Sequence, residues 1–97
     1  MANKFLVAAG GNWTADTSWS TTDGGANDTV KPTASDDVFL TSNSGQCTIS
    51  AASVGKSLTC TGYTNTLTHN AFTLTISGSI TLVSGMTYTP LATSTLV

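Results

Sequence analysis

The feature that most constrains this chain is the run from Phe72 to Thr89, FTLTISGSITLVSGMTYT, in which apolar and hydroxyl residues alternate. Side chains point to opposite faces along a strand, so a period of two predicts strands with one dry face and one wet face. Gly78 and Gly85 divide the run into short pieces. Such short strands, separated by corners, favour a β-solenoid in which the chain winds around a narrow core.

The segment before this run contains further short strands, and parts of it are similar to the run. CTIS at 47–50 is similar to LTIS at 74–77, and SLTC at 57–60 is similar to SITL at 79–82. The two offsets predict stacked coils of about 20–27 residues, with insertions confined to corners. A β-sandwich or jelly roll is the alternative, and the short strands and scarce aromatic residues count against it. The predicted strands lie at 4–9, 38–40, 47–49, 57–60, 65–68, 74–76, 80–82 and 86–88.

Composition supports an all-β fold and argues against two classes of partner. Thr and Ser are the two commonest residue types, Arg and Glu are absent, and three Lys with five Asp give a net charge of −2. Threonine packs well on a pleated surface, and no segment has apolar residues at helical spacing. Nucleic acid binding needs a cluster of basic residues, and a membrane span needs about 20 apolar residues. The sequence has neither pattern, so neither partner is predicted.

Two tryptophans near the N-terminus predict a cap. Trp13 and Trp19 stand at an even spacing, which places both indoles on one face if the segment is extended. A solenoid needs a cap, because its first coil otherwise exposes its interior and a strand edge. We expect the pair to be a buried cap or an interface, and stacking on sugar rings is the alternative.

The segment after the tryptophans predicts a loop. Residues 21–35 contain two Gly, two Asp, one Asn and one Pro, and these residue types favour turns. We therefore divide the chain into an N-terminal cap and docking loop, residues 1–35, and β-solenoid coils, residues 36–97.

Three residues at the junction of loop and coils complete the candidate structural or interface positions. Pro32 fixes its own φ angle, and Asp36 and Asp37 directly precede the predicted strand at 38–40. An acidic pair at such a junction is typical of carboxylates that accept hydrogen bonds from backbone N–H groups of the turn. A calcium site would need about six to eight oxygen ligands, and the sequence has no DxDxDG-like loop to supply them. No metal or other cofactor is predicted.

The remaining reactive side chains indicate packing rather than catalysis. Cys47 and Cys60 stand where strands need apolar residues, which favours buried free thiols, with a disulfide between coils as the alternative. His69 is the one strong base near neutral pH, and it lacks a predictable partner, so a structural or solvent-facing role is favoured. Glycoside hydrolysis generally needs two carboxylates, and none of the five Asp lies on the repeated strands. We therefore predict that the protein is not an enzyme.

The order of these motifs resembles a module that recurs in bacteria and their phages. The likeness is carried by GNW-x5-W, which holds Gly11, Asn12, Trp13 and Trp19, by P-x3-DDV-x-L, which holds Pro32, Asp36 and Asp37, and by the run 74–82. The chain looks like the start of β-solenoid passenger domains of bacterial surface proteins. It is also similar to decoration, fibre and tailspike-type structural proteins of tailed phages. The chain opens without the apolar core of a signal peptide, which favours a phage structural protein over a bacterial surface protein.

The resemblance implies a non-enzymatic virion structural protein, either a capsid decoration or head fibre or the base of a tail fibre, assembled in the host cytoplasm. It also implies docking to the particle through the N-terminal part. We expect a homotrimer with other virion proteins as partners, and a host surface glycan is a further candidate. The apolar end STLV leads us to expect that the coils continue or are covered by another subunit. Two alternatives remain: a carbohydrate-binding or adhesin module at the bacterial cell surface, and a piece of an enzyme whose active site lies past residue 97.

Overall fold

The computed structural model describes residues 3–90 and the strand Thr95–Leu96, with side chains described for 3–89. Within these ranges the one helical segment is a 3-10 turn at Asp16–Ser18, and strands and turns make up the rest. The predicted all-β class is therefore confirmed. The strands are β1 (Asn3–Leu6), β2 (Gly11–Asn12), β3 (Trp19–Ser20), β4 (Asp37–Phe39), β5 (Cys47–Thr48), β6 (Ser53–Gly55), β7 (Ser57–Thr59), β8 (Thr66–His69), β9 (Thr73–Ile76), β10 (Ile80–Thr81), β11 (Thr87–Pro90) and β12 (Thr95–Leu96).

The described strands form three sheets whose pairings are almost all parallel. The first sheet has the order β10-β7-β4-β1-β3, the second β11-β8-β5-β2 and the third β12-β9-β6. The pair β1–β3 is antiparallel, and the other pairs are parallel. From β4 onward the chain enters the first, second and third sheet in turn, three times over. Each strand therefore pairs with the strands one turn before and one turn after it, rather than with its neighbours in sequence.

The register gives the length of each turn. Val38 pairs with Leu58, and Leu58 pairs with Ile80. In the second sheet Cys47 pairs with Leu67, so one turn takes about 20 residues. Four of these residues belong to one buried cluster that draws on all three sheets, and Ile80 packs against it. The alternation of apolar and polar residues thus aligns apolar side chains in columns that fill a common core.

One predicted pairing is wrong, and the cause is a strand that sequence reasoning missed. Residues 47–50 do not pair with 74–77, because a further strand, β6, lies between the predicted strands at 47–49 and 57–60, and it is β6 that pairs with β9. The run 74–77 therefore lies in the third sheet, and the similar segment at 47–50 lies in the second. The alignment of 57–60 with 79–82 is confirmed, since β7 pairs with β10 in that register. The run that dominates the sequence thus holds β9, β10 and β11, one strand for each sheet.

The corner after β1 brings two turns of the chain into close contact. Gly10 has a φ angle of +67°, a conformation that glycine adopts without strain. A Cβ atom at Gly10 would also collide with the backbone oxygen of Gln46, which accepts a hydrogen bond of 2.9 Å from the N–H of Gly11. The Gly10–Gly11 pair stands where the corner meets β2, and it allows the first turn to lie directly on the second.

Gly55→Ala is expected to lower the free energy of unfolding by about 1–3 kcal/mol, because overpacking a filled core forces its neighbours to move. A Cβ at Gly55 would lie 3.0 Å from Val38 Cγ2 and 3.2 Å from Ile76 Cδ1. Urea unfolding followed by circular dichroism measures the change. Gly85→Ala is the matched control, because the nearest atom to its Cβ would be the Tyr63 carbonyl oxygen at 3.7 Å. Equal losses for the two variants would contradict the packing described around Gly55.

Candidate functional site

The two tryptophans lie at the end of the core where β2, β3 and β6 are the outermost strands of their sheets. Trp13 and Trp19 are 1% and 0% exposed. Their ring centroids are 5.4 Å apart with an interplanar angle of 72°, the edge-to-face geometry that aromatic pairs favour. The predicted reason for their proximity is wrong, since the segment is not extended: the 3-10 turn at Asp16–Ser18 brings the two rings together.

The indole N–H groups show how this pair closes the core. Trp13 Nε1 donates to the carbonyl oxygen of Val54 at 3.0 Å, and Trp19 Nε1 donates to the carbonyl oxygen of Trp13 at 2.9 Å. Successive carbonyls of a strand point to opposite sides, and that of Gly55 accepts a hydrogen bond from Ser77, just after β9. The Val54 carbonyl therefore points away from β9, and Trp13 occupies the edge where a further strand would pair. Trp13 and Trp19 therefore close this end of the core, and the burial of both rings leaves no face for a sugar.

The loop 21–35 covers the outer edge of β3. Asn27 Nδ2 donates to the carbonyl oxygens of Asp16 and Trp19, both at 2.7 Å, and the Asp28 N–H donates to the same Trp19 oxygen at 3.3 Å. The Asp28 carboxylate accepts hydrogen bonds from the Thr21 N–H at 2.8 Å and the Thr21 hydroxyl at 2.9 Å. These bonds from the Thr21 backbone and side chain hold the pKa of Asp28 below its usual range. The loop thus blocks an edge that could otherwise pair with another chain.

A buried lysine fastens this loop to the core, and sequence reasoning missed it. Lys4 is 5% exposed and occupies an inward position of β1, in register with Val38. Its Nζ donates to Thr29 Oγ1 at 2.7 Å and to the Val30 carbonyl oxygen at 3.0 Å. The same Nζ lies 3.9 Å from Asp36 Oδ2. The signal in the sequence was the position of Lys4 two residues before Leu6, on the apolar side of a strand.

The junction residues have separate partners. Asp36 Oδ2 accepts hydrogen bonds from the Thr33 N–H at 2.8 Å and the Thr33 hydroxyl at 3.1 Å, so the predicted bond to the turn backbone is confirmed for Asp36. Asp37 differs, since its Oδ1 accepts a bond of 2.7 Å from Ser57 Oγ in the next turn of the chain. Pro32 is buried in the loop. Asp36 therefore lies close to the lysine that fastens the cap, whereas Asp37 links two strands of the first sheet.

His69 has a structural role, one of the two that the sequence favoured. It is fully buried at the end of β8, with Nε2 2.9 Å from the Phe72 carbonyl oxygen and Nδ1 2.5 Å from the Tyr88 hydroxyl. A carbonyl can only accept, so Nε2 carries the hydrogen, and in the neutral ring Nδ1 accepts from Tyr88. The imidazole thus links β8 to β11 in the next turn.

Both cysteines are free and buried, as the favoured prediction stated. Burial raises the pKa of Cys60 to about 12. Burial also raises the pKa of Cys47, and the nearby Cys60 thiol adds a smaller electrostatic contribution in the same direction. Thiolates are the reactive form of cysteine, so both thiols are held in the form that does not attack. Their contribution is to packing.

Stability is expected to fall as the pH rises above the usual thiol pKa of 9.0 towards about 12, the pKa of Cys60 in the folded chain. In this window the unfolded chain has lost the Cys60 proton while the folded chain keeps it, so alkali favours unfolding. Burial also raises the pKa values of Tyr63 and Tyr88, which act in the same direction. Urea unfolding at pH 8 and at pH 10.5 measures the loss. Cys60→Ala should show a smaller loss than the parent chain, and equal losses would contradict the assignment to Cys60.

Comparison of the chain with protein-family models, with curated proteins and with solved structures finds no match. Within residues 3–90 and 95–96, no three His, Cys, Asp or Glu side chains are grouped in a way that could hold a metal ion. No helix in the same described ranges is long and apolar enough to cross a membrane. A function must therefore be inferred from the geometry and from the sequence motifs.

Proposed function

We propose that this chain is a non-enzymatic structural protein of a phage virion, built as a β-solenoid and located in the particle that assembles in the host cytoplasm. It would be a capsid decoration or head-fibre subunit or the base of a tail fibre. The observation that carries the proposal is the parallel register of successive turns, stacked from an end that Trp13 and Trp19 close. Such a column grows in one direction by adding similar turns, which suits a part that projects from a surface.

The pattern of pairing supports a β-solenoid over a sandwich. Sandwiches are built from antiparallel strands joined by hairpins and Greek-key connections. Here the partners Val38 and Leu58, Cys47 and Leu67, and Ser53 and Leu74 are separated by nearly the same length of chain, one pair in each sheet. A common offset of about 20 residues means that each turn of the chain adds one strand to each sheet.

The burial of the reactive side chains supports a structural role for the protein. His69, Cys47, Cys60 and Tyr63 are all fully buried in the core. The Tyr63 hydroxyl is 2.7 Å from the Gly45 carbonyl oxygen and 3.0 Å from that of Thr66, so it lies within bonding distance of two neighbouring turns. These groups hold the turns together and face no cleft.

Two of the three motifs behind the phage resemblance, GNW-x5-W and P-x3-DDV-x-L, lie at or next to the capped end, which supports attachment through the N-terminal part. Trp13 and Trp19 are buried there, with the loop 21–35 over β3 and Asp36 beside Lys4. Val30 in this loop is 53% exposed, the highest value among the large exposed apolar side chains that are described. We infer that the loop surface contacts the particle, while the tryptophans hold the loop in shape from beneath.

Two measurements test the proposal. Mass spectrometry of phage particles purified from the host that carries the gene is expected to detect this chain in the particle. Light scattering coupled to size-exclusion chromatography is expected to give three times the chain mass of 9.9 kDa, as a homotrimer requires. Absence of the chain from every purified particle would overturn the virion role, and a stable monomer would overturn the trimer.

A carbohydrate-binding or adhesin role at the bacterial surface is the second candidate. The observation in its favour is Phe72, 40% exposed between β8 and β9, whose ring could stack on a sugar. A glycan array would decide: binding that Phe72→Ala abolishes supports this role, and it also fits a virion protein that contacts a host glycan. An array with no signal would remove it.

A further inference from the structure

The outer face of the second sheet carries a regular array of threonines. Thr48, Thr68 and Thr89 pair in register across β5, β8 and β11, and Thr66 pairs with Thr87 in a parallel row. Their inward neighbours are Cys47, Leu67 and Tyr88, so alternation along the strands directs the threonines outward. We call these five threonines the threonine face.

The spacing of this array follows from strand geometry. Neighbouring strands lie about 4.8 Å apart, and alternate residues of one strand lie about 6.6 Å apart. Threonine is branched at Cβ and therefore stiff, so each position holds one hydroxyl and one methyl in a restricted orientation. Among the described residues only Thr89 of this face has a side-chain hydrogen bond, a long one of 3.4 Å to the Leu67 carbonyl oxygen. The other four hydroxyls are available to an outside partner.

Charge on the chain is confined to other surfaces. The strands of the threonine face carry no charged side chain, and the one histidine that points inward there, His69, is fully buried. The charged residues lie in β1, β4, the 3-10 turn, the loop, the junction between the loop and β4, and the turn before β7: Lys4, Lys31, Lys56, Asp16, Asp23, Asp28, Asp36 and Asp37. An anionic polymer or membrane would need cations on this face. The face is complementary to an uncharged partner.

We propose that the threonine face binds the surface of ice. An ice surface is an uncharged, periodic array of water molecules, with spacings of the same order as those between the threonines. The hydroxyls replace hydrogen bonds of water molecules in the outermost layer, and the methyls fill the spaces between them. The rigidity of stacked strands is what preserves the match, since a flexible array would lose conformational entropy on adsorption. This inference rests on the register of the second sheet and not on the virion role.

Two other partners fit less well. A second copy of the chain would need about 800 Å² of surface on each partner, and the short strands of the second sheet offer about 250 Å². A soluble sugar is usually held by an aromatic ring face, and the two rings on these strands, those of His69 and Tyr88, point inward.

Slow growth of ice in a solution of the full chain tests the proposal. The protein is expected to be enriched in the ice fraction relative to serum albumin, and to slow the coarsening of ice grains. Thr68→Lys, at the centre of the array, should abolish both effects. Thr59→Lys is the matched control, since Thr59 is also a half-buried strand threonine but lies on the first sheet. Circular dichroism confirms that both variants are folded.

Three results would overturn the proposal. The first is a parent chain excluded from ice as serum albumin is. The second is an equal loss for Thr68→Lys and Thr59→Lys in folded protein. The third is binding to insoluble cellulose that depends on Thr68 without enrichment in ice, which would assign the face to a neutral polysaccharide.

Discussion

Trp13→Ala is expected to lower the free energy of unfolding by about 3–5 kcal/mol, the range for removing a buried aromatic side chain. The ring is 1% exposed, packs edge to face with Trp19 and lies over Gly55, where an added Cβ would be 3.6 Å from Trp13 Cζ2. The substitution also leaves the Val54 carbonyl without its indole donor. Small domains have a total stability of about 5–15 kcal/mol, so the variant should unfold at far lower urea concentration than the parent. Circular dichroism at 25 °C measures this shift.

Two further variants separate the causes. Trp13→Phe keeps most of the apolar ring but removes the N–H group, so it should cost less than Trp13→Ala while still leaving the Val54 carbonyl unpaired. Val30→Ala removes a side chain that is 53% exposed and should change stability by no more than about 0.5 kcal/mol. A Trp13→Ala chain as stable as Val30→Ala would contradict the capping role.

Lys4→Met is expected to cost about 2–4 kcal/mol, because it removes a buried cation from hydrogen-bonded partners and keeps only the apolar stem. The Thr29 hydroxyl and the Val30 carbonyl each lose a donor, and Asp36 loses the positive charge 3.9 Å away. The loop that covers β3 should open, so thermolysin is expected to cut within 21–35 sooner than in the parent chain. Urea unfolding gives the stability and mass spectrometry of the fragments gives the cut site.

Lys31→Met is the control for this variant. Lys31 lies in the same loop and is exposed, and its hydrogen bond to Asp16 uses the backbone N–H rather than the ammonium group. Loss of the ammonium group should therefore leave both stability and cleavage close to those of the parent. Early cleavage of the loop in both variants would mean that Lys4 does not fasten it.

The strands themselves were largely predictable from the sequence, and their pairing was not. Leu74 and Ile76 alternate with threonines, and burial of the one face explains the alternation. The register is harder to predict, since CTI, TLT and LTI are nearly interchangeable as strands and similarity alone matched 47–50 with the wrong segment. Strand β6 has the sequence Ser-Val-Gly, with small buried residues below Trp13 and an exposed Val54. An ordinary core strand buries its large apolar residues and exposes its small or polar ones, and β6 does the opposite. The Trp13 ring fills the core space that larger inward side chains on β6 would otherwise occupy.

The cap was predictable in part. Trp13 and Trp19 stood out as two large aromatic residues close together in a chain rich in Ser and Thr. Their contact depends on a 3-10 turn that no sequence pattern predicted. The burial of Lys4 was not predicted, because lysine is rarely buried unless it is paired. Its partners Thr29 and Val30 are distant in sequence, and such a contact leaves no periodic signal.

Strand pairing in solution tests the central claim, that successive turns stack in parallel register from the capped end. Nuclear Overhauser effects in isotope-labelled protein report backbone protons that lie close together on neighbouring strands. The structure predicts contacts between Thr48 and Thr68 and between Thr68 and Thr89, in the parallel pattern. Contacts that join residues 47–50 with 74–77, or antiparallel contacts between consecutive strands such as β7 and β8, would contradict it.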